Sequence, residues 1–504
     1  TGRASAGPGD TRLVQSVPAL RRFADVSITG SNETRLRTWG IGLQAWLERP
    51  IMGGWGWMNF AMVYDARFDP IQLKHGLQET WVDQAHNMLV ELLATTGTVG
   101  FVLYLVLWGA VFRVLWRAYR RGAVSFREWI LFSGLLVFHF VQNLFVFEQP
   151  TSFLTLMLVF AWVAQYDVRG AVEKAGMSAL VAPRLVGRAA GVTAVLVVAL
   201  VYYGNVTPAR ANMLQVEASE ALGRGDLSLW FGRYQQALLL PTPHRPDIRG
   251  QMTRELLSVQ KELPALSRPA VDELVSFVAR ELRVNTDTHP HNVRYLMTYG
   301  EFLAYQYEQF RAEHPEAGPE AVRIYERARL LSPRRQQLAL LMADAVIATE
   351  DFQKAKSLLY LARALSPGIA DVHTVVAEIF LNASLFEDAL QSYEAAIRID
   401  GSPQALFLDL NEWQKVGLLH IEHGDPLRGS WMLETMVSCA TGRVSWRLCV
   451  EDIDPKEMAL FRPSRKAFAA LVLYHEKAKN AEKRTLFHAL AREYYADFEF
   501  KEGE

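Results

Sequence analysis

Between Met88 and Tyr203 the chain carries four long apolar runs, and no other feature restricts its fold as strongly. They cover Met88–Trp116, Trp129–Phe147, Ser152–Tyr166 and Ala189–Tyr203. A helix that crosses the hydrocarbon core of a bilayer needs about 20 apolar residues. The first two runs approach or exceed that length, and the last two borrow flanking residues. Charges between the runs set an orientation. Arg113, Arg117, Arg120, Arg121 and Arg127 cluster between the first and second, and Arg169, Lys174, Arg184 and Arg188 between the third and fourth. Glu148-Gln149-Pro150, between the second and third, has no Lys or Arg. Basic loops stay in the cytoplasm. Residues before Met88 and everything after Tyr203 are therefore expected to face outward, with a multi-pass membrane region over 87–205.

Half of the 504 residues are hydrophobic, yet the net charge is only -1. Those averages conceal two halves: long uncharged runs up to Tyr203, then a charged, Ala/Leu-rich, helical pattern. A neutral balance without a basic stripe argues against nucleic acid as a partner. The chain opens at Thr1 without a cationic, then apolar, leader. Residues 1–30 read as a flexible segment, with further sequence expected upstream. Cys439 and Cys449 are the only cysteines, which excludes a zinc site built on cysteine. They are either paired in an oxidising compartment or two buried thiols.

Residues 31–86 are expected outside the membrane. Asn32–Arg49 predicts an amphipathic helix, because Leu36, Trp39, Leu43 and Leu47 recur at spacings of three and four. Asn32 is a fair N-cap. Pro50 ends the helix, and Gly53-Gly54-Trp55-Gly56-Trp57 follows as a loop in which glycines permit tight turns. No Gly-Lys-Ser/Thr follows, so the loop is not a phosphate-binding P-loop. Asn59–Gln84 mixes aromatics with Asp65, Asp69, Lys74 and Asp83 and reads as facing water close to a membrane. The three aspartates fit no calcium-loop spacing and are expected to be solvated.

Beyond Ala209 a repeat sets in. Ala355, Leu359, Ala362 and Pro367 recur 34 residues later as Ala389, Tyr393, Ala396 and Gly401, and one period earlier stand Ala321, Tyr325, Ala328 and Pro333. Ala343 and Ala377 mark the matching small position of a first helix in two units. Small residues at such positions let paired helices pack closely, and the pattern resembles the tetratricopeptide repeat. Tyr234, Ala237 and Pro241 suggest a degenerate earlier unit. The repeat domain is expected over 206–464, with capping helices over 465–504. The fold class is all-α: a polytopic membrane helix bundle fragment followed by a tetratricopeptide-like α-solenoid.

The stretch that carries chemistry is His86-Asn87, followed by nine residues and then Gly97-x-x-Gly100. This resembles the signature of the bacterial O-antigen ligase and polymerase superfamily. Arg35 with Trp39 four residues on, then Pro50 and the Gly54-x-Gly56 loop ending at Phe60, resembles that family's lead-in. Phe138-His139-Phe140-Val141-Gln142-Asn143-Leu144-Phe145 resembles its following membrane helix. The resemblance runs from Arg35 to Trp162, about the second half of the family's membrane domain.

That resemblance implies a glycosyltransferase of the bacterial inner membrane with its repeat domain in the periplasm. Such an enzyme transfers glycan from undecaprenyl pyrophosphate to an acceptor hydroxyl on lipid A core, a glycan or a protein, without metal or cofactor. His86 matches the base, its ordinary pKa of about 6.5 suiting proton transfer near neutrality. Arg35 matches the diphosphate-binding position, since guanidinium pairs with phosphate in two-pronged geometry. Arg37, Asn87 and Glu91 are candidate substrate-binding residues. Each has a plainer reading. His86 could be a polar residue at the interface, Arg35 or Arg37 a surface arginine, and Glu91 a partner for a neighbouring helix. Gly97 and Gly100 are expected to allow close helix packing, and His139, Gln142 and Asn143 to bond between helices. The rival for the whole chain is a membrane-anchored tetratricopeptide scaffold in surface polysaccharide assembly. It would have no activity of its own, and a protein partner would lie in the repeat groove.

Overall fold

The computed structural model describes residues 31–75, 80–175, 183–259, 268–400, 410–440 and 462–495. Among them every regular element is helical. Contacts divide the chain into two compact units, Thr1–Leu338 and Ala339–Glu504. Residues 1–30 and the question of whether Cys439 pairs with Cys449 lie outside the described residues.

The first unit begins with α1 (Ser31–Glu48), α2 (Phe60–Ala66) and a 3-10 turn at Pro70–His75. The four apolar runs follow as α3 (Met88–Arg120), α4 (Phe126–Gln142), α5 (Pro150–Ala175) and α6 (Pro183–Val201). A capping box between Ser125 and Glu128 starts α4 immediately after the arginine cluster. Trp108, Val111, Leu115, Leu136, Leu156 and Val163 form one core shared by α3, α4 and α5. Two stretches of described helix are long and apolar enough to cross a membrane, Met88–Arg120 and Ala190–Gly223. The second runs from α6 through a π-helical turn at Tyr202–Val206 into α7 (Thr207–Gly223).

Helix α3 is not continuous. Gly97 adopts φ 73° and ψ −176°, which breaks it nine residues after its start. The bonds that Thr98 and Val99 would make to Ala94 and Thr95 in an unbroken helix are missing. Their partners come from the loop between α1 and α2. The Thr98 and Val99 amides donate to the carbonyls of Pro50 (2.8 Å) and Ile51 (3.1 Å). The Trp55 and Gly56 amides donate to the carbonyls of Ala94 (3.0 Å) and Thr95 (2.8 Å). A Cβ on Gly97 would lie 2.9 Å from the Ile51 carbonyl oxygen, and one on Gly54 (φ 42°) 2.5 Å from that of Ala94. Both glycines thus serve contact between a loop and a broken helix, not the helix-on-helix packing expected for Gly97. The three atoms nearest a Cβ on Gly100 all belong to Thr96 of its own helix.

The break also divides α3 by exposure. Val90, Leu92, Ala94 and Thr95 are buried in the protein, whereas Val99, Val102, Leu103, Leu105, Val106 and Leu107 are exposed. The exposed apolar part of α3 starts at Val99, beyond the break, not at Met88.

Two further expectations change. The buried face of α1 is Thr34, Thr38, Ile41 and Ala45, while Leu36, Leu43 and Leu47 point away from the protein. Asn59–Gln84 does not face water as a whole. Phe60, Val63, Tyr64 and Phe68 are fully buried, and their spacing of three and four makes one helix face and its continuation. Asp65 is buried as well, and Asp69 accepts a hydrogen bond from Arg37 at 2.9 Å, so neither is simply solvated.

Asp65 meets Arg335, which is 1% exposed. Arg335 Nη2 lies 2.5 Å from Asp65 Oδ1, and the guanidinium also donates to the Thr80 carbonyl. Phe68 and Trp81 flank it at 4.1 and 4.2 Å, a cation between two aromatic faces. Burial raises the Asp65 carboxyl and lowers the Arg335 guanidinium, and each charge opposes the shift of the other.

Helical hairpins complete the first unit: α7 with α8 (Leu227–Leu239), then α9 (Arg245–Ser258), α10 (Arg268–Thr288), α11 (Val293–Phe310) and α12 (Ala317–Leu331). Trp230, Tyr234 and Ala237 are fully buried in α8. Helix α13 (Gln336–Ala348) spans the unit boundary, which falls inside the expected 206–464 repeat domain. The second unit continues with α14 (Phe352–Leu365), α15 (Ala370–Asn382), α16 (Phe386–Asp400), α17 (Leu410–His423) and α18 (Pro426–Ala440). It ends with α19 (Arg465–Lys477) and α20 (Ala481–Tyr494). The periodic positions Ala321, Ala328, Ala343, Ala355, Leu359, Ala362, Ala377, Ala389 and Tyr393 are all at 0% exposure. The 34-residue period is therefore a packing period.

Two stability tests follow. Gly97→Ala is expected to cost about 1–3 kcal/mol, the range for a strained backbone position. Gly109→Ala, in the same helix with nothing within 4 Å of the added carbon, is expected to be neutral or stabilising. Thermal unfolding in detergent followed by tryptophan fluorescence separates the two. Arg335→Met strands a buried carboxylate and is expected to cost about 3–5 kcal/mol. Arg335→Met combined with Asp65→Leu is expected to recover most of that loss in the same measurement.

Candidate functional site

His86 sits in the loop before α3 with φ 52°, a left-handed conformation uncommon outside glycine. Such a residue stays there only if its surroundings insist, and both of its neighbours are held. On one side, the Ala85 amide donates to Glu91 Oε2 at 2.8 Å and the Ala85 carbonyl accepts from Trp39 Nε1 at 2.9 Å. On the other, Asn87 caps α3, its Oδ1 accepting from the amides of Leu89 (3.0 Å) and Val90 (3.2 Å). The Met88 amide donates to the Asn143 carbonyl at the end of α4, at 2.8 Å. The His86 ring rests edge-on against Phe147, centroids 5.2 Å apart.

These residues wall a pocket of about 350 Å³. His86, Asn87 and Glu91 line it on one side, Phe147, Glu148 and Phe153 on another, and Trp57 and Met58 at a third. Glu148 is the centre of a second network. Its Oε2 accepts from Asn143 Nδ2 (2.5 Å) and lies 2.9 Å from His139 Nε2, and its Oε1 accepts from Ser152 (2.8 Å). His139 and Asn143 thus serve the loop after their own helix, and Asn143 also makes the expected bond between helices, through the Met88 amide of α3. Trp57, Met58, Phe147, Glu148 and Phe153 escape a reading of the sequence. Only Glu148 carries a signal there, as the lone charge in the link between the second and third apolar runs.

The predicted residues separate into three groups. His86, Asn87 and Glu91 share the pocket, with Asn87 and Glu91 tied to the backbone that positions His86. Arg35 does not line the pocket. It stands one turn before Trp39 on the same face of α1, the face that reaches Ala85, and among the described residues it has no ion pair. Arg37 is committed elsewhere, bonded to Glu33 (2.8 Å) and Asp69 (2.9 Å).

Residues 15–105 match the model of the O-antigen ligase family. The match contains Arg35, the Gly54-x-Gly56 loop, His86-Asn87, Gly97 and Gly100, and it ends before Phe138–Phe145, the segment that resembles the family's following membrane helix. The O-antigen ligase resemblance is therefore shown for this stretch, and it supports a ligase-type, membrane-associated role in the broad sense. No curated protein matches the chain. Among solved structures the chain is similar to a thermophilic TPR protein of Thermus thermophilus, at 18% identity over 40% of this chain and 96% of that one, with a TM-score of 0.29. A tetratricopeptide repeat protein of Parabacteroides merdae gives 10%, 57%, 94% and 0.33, and yeast Tom70 gives 11%, 92%, 92% and 0.32.

The clamp on Ala85 is open to a direct test. Glu91→Ala removes the acceptor of the Ala85 amide, and hydrogen exchange of peptides covering 80–91 is expected to speed by about 2- to 10-fold, since a net hydrogen bond is worth about 0.5–1.5 kcal/mol. Glu91→Gln keeps an acceptor oxygen and is expected to retain most of the protection.

Proposed function

We propose that this chain transfers glycan from undecaprenyl pyrophosphate to an acceptor hydroxyl on the outer face of a bacterial inner membrane. The observation that carries the reading is the placement of His86. Its imidazole lines a preformed pocket, is held from both sides, and belongs to the stretch matched by the O-antigen ligase family. His86 takes the proton from the acceptor hydroxyl as its oxygen attacks the anomeric carbon. The bond from that carbon to the diphosphate breaks, and its electron pair leaves with the diphosphate. Arg35, which has no ion pair among the described residues, neutralises the leaving group, an electrostatic role for which guanidinium is well suited. Attack opposite the leaving group inverts the anomeric centre. Asn87 and Glu91 position His86 by fixing the backbone around it and present their remaining polar edges to the acceptor.

The four helices α3–α6 form the multi-pass anchor, and the two arginine-rich loops keep their cytoplasmic side. The hairpins after Val206 extend into the periplasm and hold the acceptor, which is lipid A core, a glycan or a protein, or a partner in glycan assembly. A groove of about 570 Å³ lined by Arg280, Arg283, Tyr299, Gln306, His314 and Arg323 suits that task. The same groove is the observation behind the scaffold alternative, in which the repeats alone carry the function.

In cells expressing the protein, His86→Ala is expected to lower glycan transfer by about 10²–10⁴-fold, the usual contribution of a general base. Arg35→Ala is expected to do the same. Arg37→Ala, whose charge is internally paired, is expected to stay within a few-fold of the parent. Gel banding of the glycan product against the amount of membrane-inserted protein reads all three. Normal banding from His86→Ala and Arg35→Ala would leave the scaffold reading in place.

A further inference from the structure

The loop that closes the break in α3 presents its side chains outward. Ile51 and Met52 are 71% and 74% exposed, and Trp57 and Met58 are also exposed. These residues are not loose. The backbone beneath them makes the four hydrogen bonds to Ala94, Thr95, Thr98 and Val99, and Trp46 Nε1 adds a bond to Thr98 Oγ1 at 3.0 Å. A rigid loop therefore holds four large apolar side chains away from its own protein. The patch continues on α1 as Leu36, Leu43 and Leu47, all exposed. A contiguous patch of this kind marks a surface that something apolar covers.

The bonding fixes its depth. Ile51 accepts from the amide of Val99, and Val99 opens the run of exposed apolar residues along α3. Ile51 and Met52 therefore stand level with the first turn of the span. Cations lie beside them, on the other side of the loop. Arg49 and Arg67 stack on Trp55 at 4.1 and 4.6 Å, and Arg67 is also paired with Glu48. Apolar tips flanked by tryptophan and arginine are the composition of a surface that sits in the headgroup layer.

We infer that the 51–58 loop and the outward edge of α1 lie in the outer interfacial layer of the bilayer, with Ile51, Met52, Trp57 and Met58 among the acyl chains. The occupant of this patch is lipid of the membrane that the chain itself crosses. Trp57 and Met58 belong both to the patch and to the wall of the pocket that holds His86. One wall of that pocket is then lipid-facing, so a lipid-borne substrate reaches it without leaving the membrane. That last consequence rests on the proposed reaction, whereas the depth of the loop rests only on α3 crossing the membrane.

Depth is measured without any activity. The full chain, with Cys439→Ser and Cys449→Ser, carries a single nitroxide at Ile51→Cys, Met52→Cys or Met58→Cys in vesicles of phosphatidylcholine and phosphatidylglycerol. Power saturation then compares access to oxygen with access to a water-soluble nickel chelate. Labels at all three positions are expected to favour oxygen, as a label at Leu103→Cys in the span does, while one at Arg224→Cys in the α7–α8 turn favours nickel. Nickel-favouring labels at 51 and 52 would place the loop in water. Low access to both reagents would place it under protein, whether a second copy or other helices. Either result overturns the inference. A measurement on the unaltered chain guards against misfolded variants. Diazirine-bearing phosphatidylcholine is expected to leave adducts on the peptide covering 50–67 as well as on α3 after Gly97. Adducts on α3 alone would again overturn it.

Discussion

A helix interrupted beside lipid must place four backbone groups that water is not there to satisfy, and each one left bare costs about 2–7 kcal/mol on transfer scales. In this protein the four groups are the carbonyls of Ala94 and Thr95 and the amides of Thr98 and Val99, and residues 50–56 answer all of them. Much of the membrane-proximal structure follows. The loop must lie against α3, so α1 is drawn alongside it. Both approaching backbones must be bare of Cβ, so Gly54 and Gly97 face each other. The first turns of α3 are released from the span and become part of the protein interior. Those turns carry Asn87 and Glu91, and His86 precedes them. Nine residues at about 1.5 Å each put Met88, where the helix starts, about 13 Å from the break, and the histidine lies two residues beyond it.

The histidine's own geometry is equally a tertiary product. A left-handed φ at a bulky residue costs about 1–3 kcal/mol, and the Asn87 cap is the local part of what offsets it. The rest comes from Trp39 on α1, Glu91 on α3 and the Asn143 carbonyl at the end of α4. Asn143 also donates from its side chain to Glu148, which gathers His139 and Ser152. The two carboxylates of the pocket therefore act on one object, the short backbone that aims the imidazole. A general base is useful only if its ring nitrogen stays within hydrogen-bond reach of the proton it removes, and here three separate elements limit its wander.

Patterns with a period were legible in the chain before any coordinates. The four apolar runs became four helices, and the 34-residue spacing of small residues became buried contacts between paired helices. His86, Asn87 and Glu91 do share a pocket. What sequence did not reveal was direction and partnership. Leu36, Leu43 and Leu47 look like a core stripe, but a membrane protein has two apolar destinations, and Thr34, Thr38, Ile41 and Ala45 took the protein side. Gly97 reads as a packing glycine because the spacing of two small residues does not say whether the neighbour is a helix or a loop. Asp65 reads as solvated because its partner, Arg335, lies 270 residues away. Glu148 was visible as a charge but not as a pocket wall, since only the turn after α4 brings it back toward Asn87.

That distant partner alters how the repeats should be regarded. The Ser332 hydroxyl donates to the Asp65 carbonyl at 2.6 Å, Gln336 Nε2 to the Pro70 carbonyl at 2.9 Å, and Arg335 to Asp65 and Thr80. All four contacts land on residues 65–80, the segment that leads into Ala85. The end of α12 is thus built into the support of the His86 loop, and the hairpins of the first unit are not an appendage to it. A change in the packing of α12 has to be accommodated at Asp65 or Thr80, because a buried guanidinium without its carboxylate is too costly to leave standing. The size of any such influence on the pocket is bounded. A ligand on these hairpins can shift the His86 loop only by the difference in its affinity for the two arrangements. Tight binding that leaves Ser332, Arg335 and Gln336 in place would change nothing at His86.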